Sequence, residues 1–145
     1  MNDFNSYKRP YLVLAPSFTQ KSGGIIVQHK LVHLLNKLGA NAYLCHHKID
    51  GKLYFETNDK YSTPIASKSI MDEDPIVVYP EIVIGNPLNA KNVVRWLLNR
   101  PGDVGGDGNF LNSDLIYEIN TIHFTENTPE NPNMLTVHER YLDIF

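Results

Sequence analysis

The sequence predicts an α/β fold, a three-layer α/β/α domain built on a mainly parallel sheet. Three observations lead there. Residues 11–15, YLVLA, and 76–79, IVVY, are unbroken apolar runs, as strands covered on both faces require. Between them Val27, Leu31, Leu34, Leu35 and Leu38 recur at helical spacing and form an apolar stripe. Strands that alternate with helices in this way are joined by crossovers, which makes neighbouring strands parallel.

Each element follows in order. Residues 1–9 form an N-terminal extension, residues 10–125 the domain, and residues 126–145 a linker-like tail with a terminal apolar segment. After YLVLA, the stretch PSFTQKSGG at 16–24 is loop-like, and the striped helix follows it. Gly39 is its natural stop, because glycine adopts the left-handed conformation there without strain. AYLC at 42–45 is a second strand, which completes a strand–helix–strand crossover unit. In residues 48–74, LYFET reads as a strand or edge hairpin, TPIAS as a short strand and MDEDP as a polar connection.

IVVY, almost wholly β-branched, reads as a central strand ended by Pro80. Asn86-Pro87 has the pattern of a helix cap followed by proline at the first helical position. Leu88, Val93, Val94, Leu97 and Leu98 would be the buried face of that second helix, with Arg100-Pro101-Gly102 as its end. GDVGGDGN reads as a flexible turn, LIYEI at 115–119 as another strand, and TENTPENPN as linker before MLTVHERYLDIF.

Composition narrows the function classes. A length of 145 residues fits one domain with a proper core, and 42% hydrophobic with 20% charged residues is ordinary for a soluble protein. A net charge of -3 argues against nucleic acid as partner, because phosphate backbones need concentrated Lys and Arg. Cys45 is the single cysteine, so there is no intrachain disulfide and no cysteine-clustered zinc site, in keeping with a reducing compartment. The N-terminus lacks a signal-peptide core and no apolar run is long enough to span a bilayer, so a cytoplasmic protein is expected.

Candidate chemistry lies where strands run into loops, since ligands of open parallel sheets sit beyond the carboxyl ends of the strands. Ser22, Gly23 and Gly24 fall there after the first strand. The glycines let backbone N–H groups approach an anion at a helix N-terminus, although a plain strand-to-helix turn would use the same pair. Tyr79, Glu81 and Asn86 follow the IVVY strand; Glu81 is placed to bond sugar hydroxyls or act as a base, or else is a solvated loop residue, and Asn86 is foremost a helix cap.

Other patterns carry less. Arg95 and Trp96 fall in the second helix, where an Arg is expected to meet solvent or a surface carboxylate. His29 and His33 have metal-binding spacing, but they point away from the apolar stripe and are expected to face solvent. His46 and His47 diverge as sequence neighbours, and Asp103, Asp107 and Gly108 depart from a calcium loop at Gly105 and Asp114. No metal site is therefore expected. Cys45 reads as a buried small hydrophobe.

Taken together, YLVLAP, SGGIIVQHKLVHLLNKLGANAYL and DPIVVYPEIVIGNPLNAKNVVRWLLNRPG resemble the N-terminal, acceptor-side domain of a GT-B type glycosyltransferase, of the kind that builds bacterial surface polysaccharides. The similarity covers roughly residues 10–120, and the last stretch is the most distinctive. It implies a Rossmann-like domain that faces a second, donor-binding domain across a cleft. It also implies a nucleotide-sugar donor as substrate with no separate cofactor, a glycan or related acceptor, and a cytoplasmic location peripheral to the inner membrane.

In such an enzyme Ser22, Gly23 and Gly24 would lie where donor meets acceptor, and Tyr79, Glu81 and Asn86 would line the substrate side. The pattern departs from the family where a catalytic His is usual, since Tyr79-Pro80-Glu81 stands there, and no catalytic residue is assigned. A donor-clamping second domain is not contained in residues 1–145. The expectation is half of an enzyme, inactive alone, paired with a C-terminal domain or partner chain. A non-catalytic glycan- or nucleotide-binding module, or a structural domain that only pairs with a partner, is the alternative.

Overall fold

The computed structural model describes residues 9–46, 55–119 and 133–137. Among these residues the sheet has six strands, β1 (Tyr11–Ala15), β2 (Ala42–His46), β3 (Ile76–Pro80), β4 (Asn92–Leu97), β5 (Leu115–Glu118) and β6 (Asn133–Met134), in the order β2-β1-β3-β4-β5-β6. Every neighbouring pair is parallel. The α/β reading with a parallel sheet holds, and IVVY occupies the interior as β3. LIYE is β5, while the TPIAS segment contributes an isolated parallel bridge from Ile65 to Leu44 instead of a strand. The expectations for residues 1–8, for LY of LYFET, for most of TENTPENPN and for HERYLDIF lie outside the described residues.

Helix α1 (Gly23–Lys37) crosses from β1 to β2. Ser22 starts it in extended conformation, its Oγ accepting the Ile25 N–H at 3.4 Å. At the far end Leu38 N–H bonds back to Leu34 and Leu35, and Gly39 turns out at φ 93°, as its glycine predicts. Val27, Leu31 and Val32 pack with Val13, Ala15, Leu44, Val78, Trp96 and Leu98 into one core. Burial of such side chains is the main force holding the helix to the sheet, at ~1.5–3 kcal/mol each.

The stripe is shorter at its end than expected, since Leu38 is 84% exposed. Around its middle the helix is buried beyond the stripe: Gln28, His29 and Lys30 are covered as well. His29 therefore does not face solvent, which corrects the expectation drawn from helix periodicity. His33 is only partly exposed, its Nδ1 accepting the Ser62 N–H at 2.8 Å. Loop residues 55–62 fold back over this side of α1, and a helical wheel carries no information about such a loop.

The opposite face of the sheet holds a second core of Leu12, Leu14, Cys45, Val77, Tyr79 and Val93. Its cover is thin. The helix α2 (Lys68–Met71) is four residues long, sits partly where a polar connection was expected, and contributes Ile70; Val83, Leu88 and Ala90 of the β3–β4 loop complete the layer. Cys45 is buried as predicted, and the apolar surroundings push its thiol up to about 11.

The largest correction concerns residues 86–100. No helix forms there; Asn92–Leu97 is β4, between β3 and β5. Helical spacing of five apolar residues was outweighed by burial on both faces. Val94, Trp96 and Leu98 enter the α1-side core, and Val93 enters the other. Arg95 and Trp96 are accordingly buried, at 2% and 0% exposure, not on a solvated helix face.

Asn86-Pro87 opens a turn in place of a helix, since Asn and Pro suit the first two turn positions equally well. Asn89 N–H bonds Asn86 carbonyl at 3.0 Å, and Asn89 takes φ 50°, where asparagine is one of the few tolerated side chains.

Candidate functional site

With this strand order, the topological switch point lies between β1 and β3, and a ligand of such a sheet binds beyond their carboxyl ends. The loop at 16–22 and the start of α1 form one side of this crevice. The segment after β3 forms the other. Two of the sequence candidates, Gly24 and Glu81, are brought to this edge, and Leu98 connects them.

Gly23 and Gly24 are the first two residues of α1, not a loop before it. Ser22 Oγ is turned to the Ile25 amide, and Ile26 N–H bonds Ser22 carbonyl at 3.0 Å. Among the described residues the amides of Gly23 and Gly24 have no acceptor. These are the orphan donors of a helix N-terminus, reinforced by the positive end of the helix dipole. A Cβ on Gly24 would lie 3.7 Å from Leu98 Cδ1 and 3.9 Å from Ser22 Oγ, ordinary contacts. The fold therefore does not require glycine at 24.

Glu81 is 1% exposed. Its Oε2 accepts the Leu98 N–H and its Oε1 the Asn99 side-chain amide, both at 3.0 Å. The carboxylate thus fastens the chain leaving β4 to the end of β3. The GDVGGDGN segment closes over it: Gly106, at φ 87°, runs so near Glu81 that a Cβ there would lie 2.0 Å from its carbonyl oxygen. Among the described residues nothing in the sequence pattern alone marked Leu98 or Asn99 as partners, because neither bond is local.

Tyr79 and Asn86 meet each other, but inside the second core. The Tyr79 hydroxyl donates to Asn86 Oδ1 at 2.6 Å and accepts the Leu88 N–H at 3.0 Å. Asn86 also bonds both backbone groups of Ala90, so its side chain organises the β3–β4 loop and caps no helix. Burial raises the Tyr79 pKa, only partly countered by the Leu88 hydrogen bond and by Arg95.

Arg95, on the same face, lies 4.9 Å from the Tyr79 ring centroid, pairs with Asp114 at 3.0 Å, and donates to the carbonyls of Val83 and Gly85. A period-two reading of NVVRWL would have placed Arg95 on an inward face and asked for its acid.

His29 lies just behind the crevice. Its Nε2 donates to the Pro16 carbonyl at 2.8 Å, so in the neutral ring Nδ1 is the bare nitrogen, and it is buried without a partner. Phe18 meets the ring edge-on and Phe55 stacks on it. Burial lowers its pKa, against a smaller raising effect of the Pro16 bond.

Comparison with protein-family models, with curated proteins and with solved structures gives no match for this chain. The described residues hold no group of three or more His, Cys, Asp or Glu that could bind a metal, and no helix among them is long and apolar enough to cross a membrane. Two cavities among the described residues lie away from the switch point. One of about 230 Å³ sits at the amino edge between Leu12, Val77, Asp72, Leu88 and Lys91. A broader groove of about 610 Å³ follows the start of β5.

Proposed function

We propose that this chain supplies the acceptor-facing, N-terminal domain of a nucleotide-sugar-dependent glycosyltransferase of the GT-B type. One observation carries the reading: strand order and the β1–α1 crossover bring the open N-terminus of α1, with the unaccepted amides of Gly23 and Gly24, to the switch point. A donor diphosphate bound there would meet two N–H donors and the helix dipole, the stabilisation a departing diphosphate needs. The resemblance of the strand, glycine and helix segments to that family supports the same reading.

The internal bonds of Glu81 and Tyr79 favour a positioning and binding role for this half, with the reacting groups supplied by a partnering domain. NMR titration of the labelled chain with UDP- and GDP-sugars tests the proposal. Shifts are expected at Ser22, Gly23 and Gly24, together with no sugar transfer by the chain alone. Absence of shifts at these amides, with every donor tried, would overturn it.

A further inference from the structure

Residues 55–62 form a strap across one side of α1, and two histidines one helical turn apart hold it. Phe55, at its start, stacks on the His29 ring with centroids 5.8 Å apart. Ser62, at its end, donates its N–H to His33 Nδ1 at 2.8 Å. Tyr61 lies 5.5 Å from the His33 ring and meets Phe18 edge-on at 5.7 Å. The strap in turn grips the loop after β1. Phe18 N–H bonds the Glu56 carbonyl at 2.8 Å, and Ser17 Oγ accepts the Glu56 N–H at 3.0 Å. His29 Nε2 donates to the Pro16 carbonyl of the same loop. Residues 16–18 belong to one wall of the switch-point crevice, so strap, histidines and wall are one connected unit.

Both rings must be neutral for this arrangement. His33 Nδ1 accepts the Ser62 N–H only while it carries no proton itself, and a proton there would set two donors face to face. His29 Nδ1 is buried without a partner, so a proton there would be a charged donor with no acceptor. Burial accordingly lowers the His29 pKa, whatever attraction the Phe18 and Phe55 rings offer a cation. The titratable and charged groups on the described elements packed here are Lys21 before α1, His46 at the end of β2, Glu56, Asp59, Lys60 and Tyr61 in the strap, and Lys30 and Lys37 on α1. Among the described residues none of them pairs with His29, so no carboxylate holds its charged form.

We propose that residues 55–62 are an acid-released strap, closed while His29 and His33 are neutral and freed, together with the crevice wall at 16–18, when the two rings take up protons. His29 favours the closed form fully above about 6.5, and less as pH falls from there towards its depressed value. The strap stands on its own bonds and is independent of what binds at the switch point.

NMR of the full chain from about pH 8 to about pH 5 tests this, with the backbone amides and each imidazole followed separately. The amides of Phe18, Glu56 and Ser62 are expected to move together towards unstructured positions, at the midpoint of the His29 or His33 ring. Val13 and Val78 in the sheet should keep their positions over the same range. His33→Asn puts a neutral acceptor where Nδ1 stood, on a partly exposed site, so it should fold and hold Ser62 in place to lower pH. Glu56→Gln should leave the transition where it was. Strap amides that do not move, a shift that follows only the His46 ring or accompanies loss of the whole fold, an unchanged Ser62 midpoint in folded His33→Asn, or loss of the transition in Glu56→Gln would each overturn the proposal.

Discussion

Glu81 Oε2 accepts the backbone N–H of Leu98 at 3.0 Å, and by this bond a carboxylate placed like a catalytic group instead secures the end of β4. Both residues are buried, so the amide has no water to replace a lost acceptor. Glu81→Leu should therefore destabilise the fold by roughly 3 kcal/mol, and Glu81→Gln by less, because its amide oxygen can still accept one bond. Urea denaturation of the two variants measures this. A Glu81→Leu protein as stable as the parent would return Glu81 to the ligand side.

Gly24 separates turn from ligand contact. Its φ is not in the left-handed region and a Cβ would meet only ordinary contacts. Gly24→Ala should leave stability unchanged or raise it by up to about 1 kcal/mol, as glycine is a poor helix former. Gly24→Val should also fold, while its branched side chain reduces diphosphate-dependent shifts at Gly23. Melting temperature and NMR titration on the same samples check both halves. Preserved shifts in a folded Val variant would leave Gly24 without a role at the crevice.

The Arg95–Asp114 pair has side chains only 2% exposed on both partners. Removing one partner leaves the other charged and desolvated, so Arg95→Met should cost about 3–5 kcal/mol. Adding Asp114→Leu should recover a large part of that loss, since neither member of the pair is then left as an unpaired buried charge. A double-mutant cycle by denaturant unfolding gives the coupling. Additive losses would show that Arg95 acts mainly through the Val83 and Gly85 carbonyls.

His29 should make the fold acid-sensitive. Its pKa is lowered from 6.5 by burial, so below that value the unfolded chain takes up a proton that the folded ring resists. Stability from this residue is intact above about 6.5 and declines as pH falls from there towards the depressed folded value. The protonated ring would need an acceptor for Nδ1–H among Phe18 and Phe55. Unfolding free energy measured across mildly acid pH should show this slope, and His29→Gln should flatten it. An equal slope in the variant would assign the effect to other groups.

The sequence by itself determined the first crossover unit and the central strand. YLVLA, AYLC and IVVY are apolar without interruption, and Gly39 ends α1 through local backbone chemistry. Those signals are short-range, so they survive without knowledge of the rest of the chain. Glycine at the start of α1 and Glu81 after β3 were also legible as groups at the carboxyl edge, because parallel connectivity alone sends the chain there.

Tertiary structure decided what each of them does. Val93, Arg95 and Leu97 alternate with Val94, Trp96 and Leu98 as a strand only because β3 and β5 flank them. Arg95 can be buried there because Asp114, nineteen residues later, reaches it. Glu81 became a clamp because Leu98 and Asn99 turn their donors towards it, and His29 lost its solvent because residues near Phe55 fold across α1. Each outcome depends on a partner distant in sequence, and local periodicity cannot register the burial and hydrogen bonding that such a partner supplies.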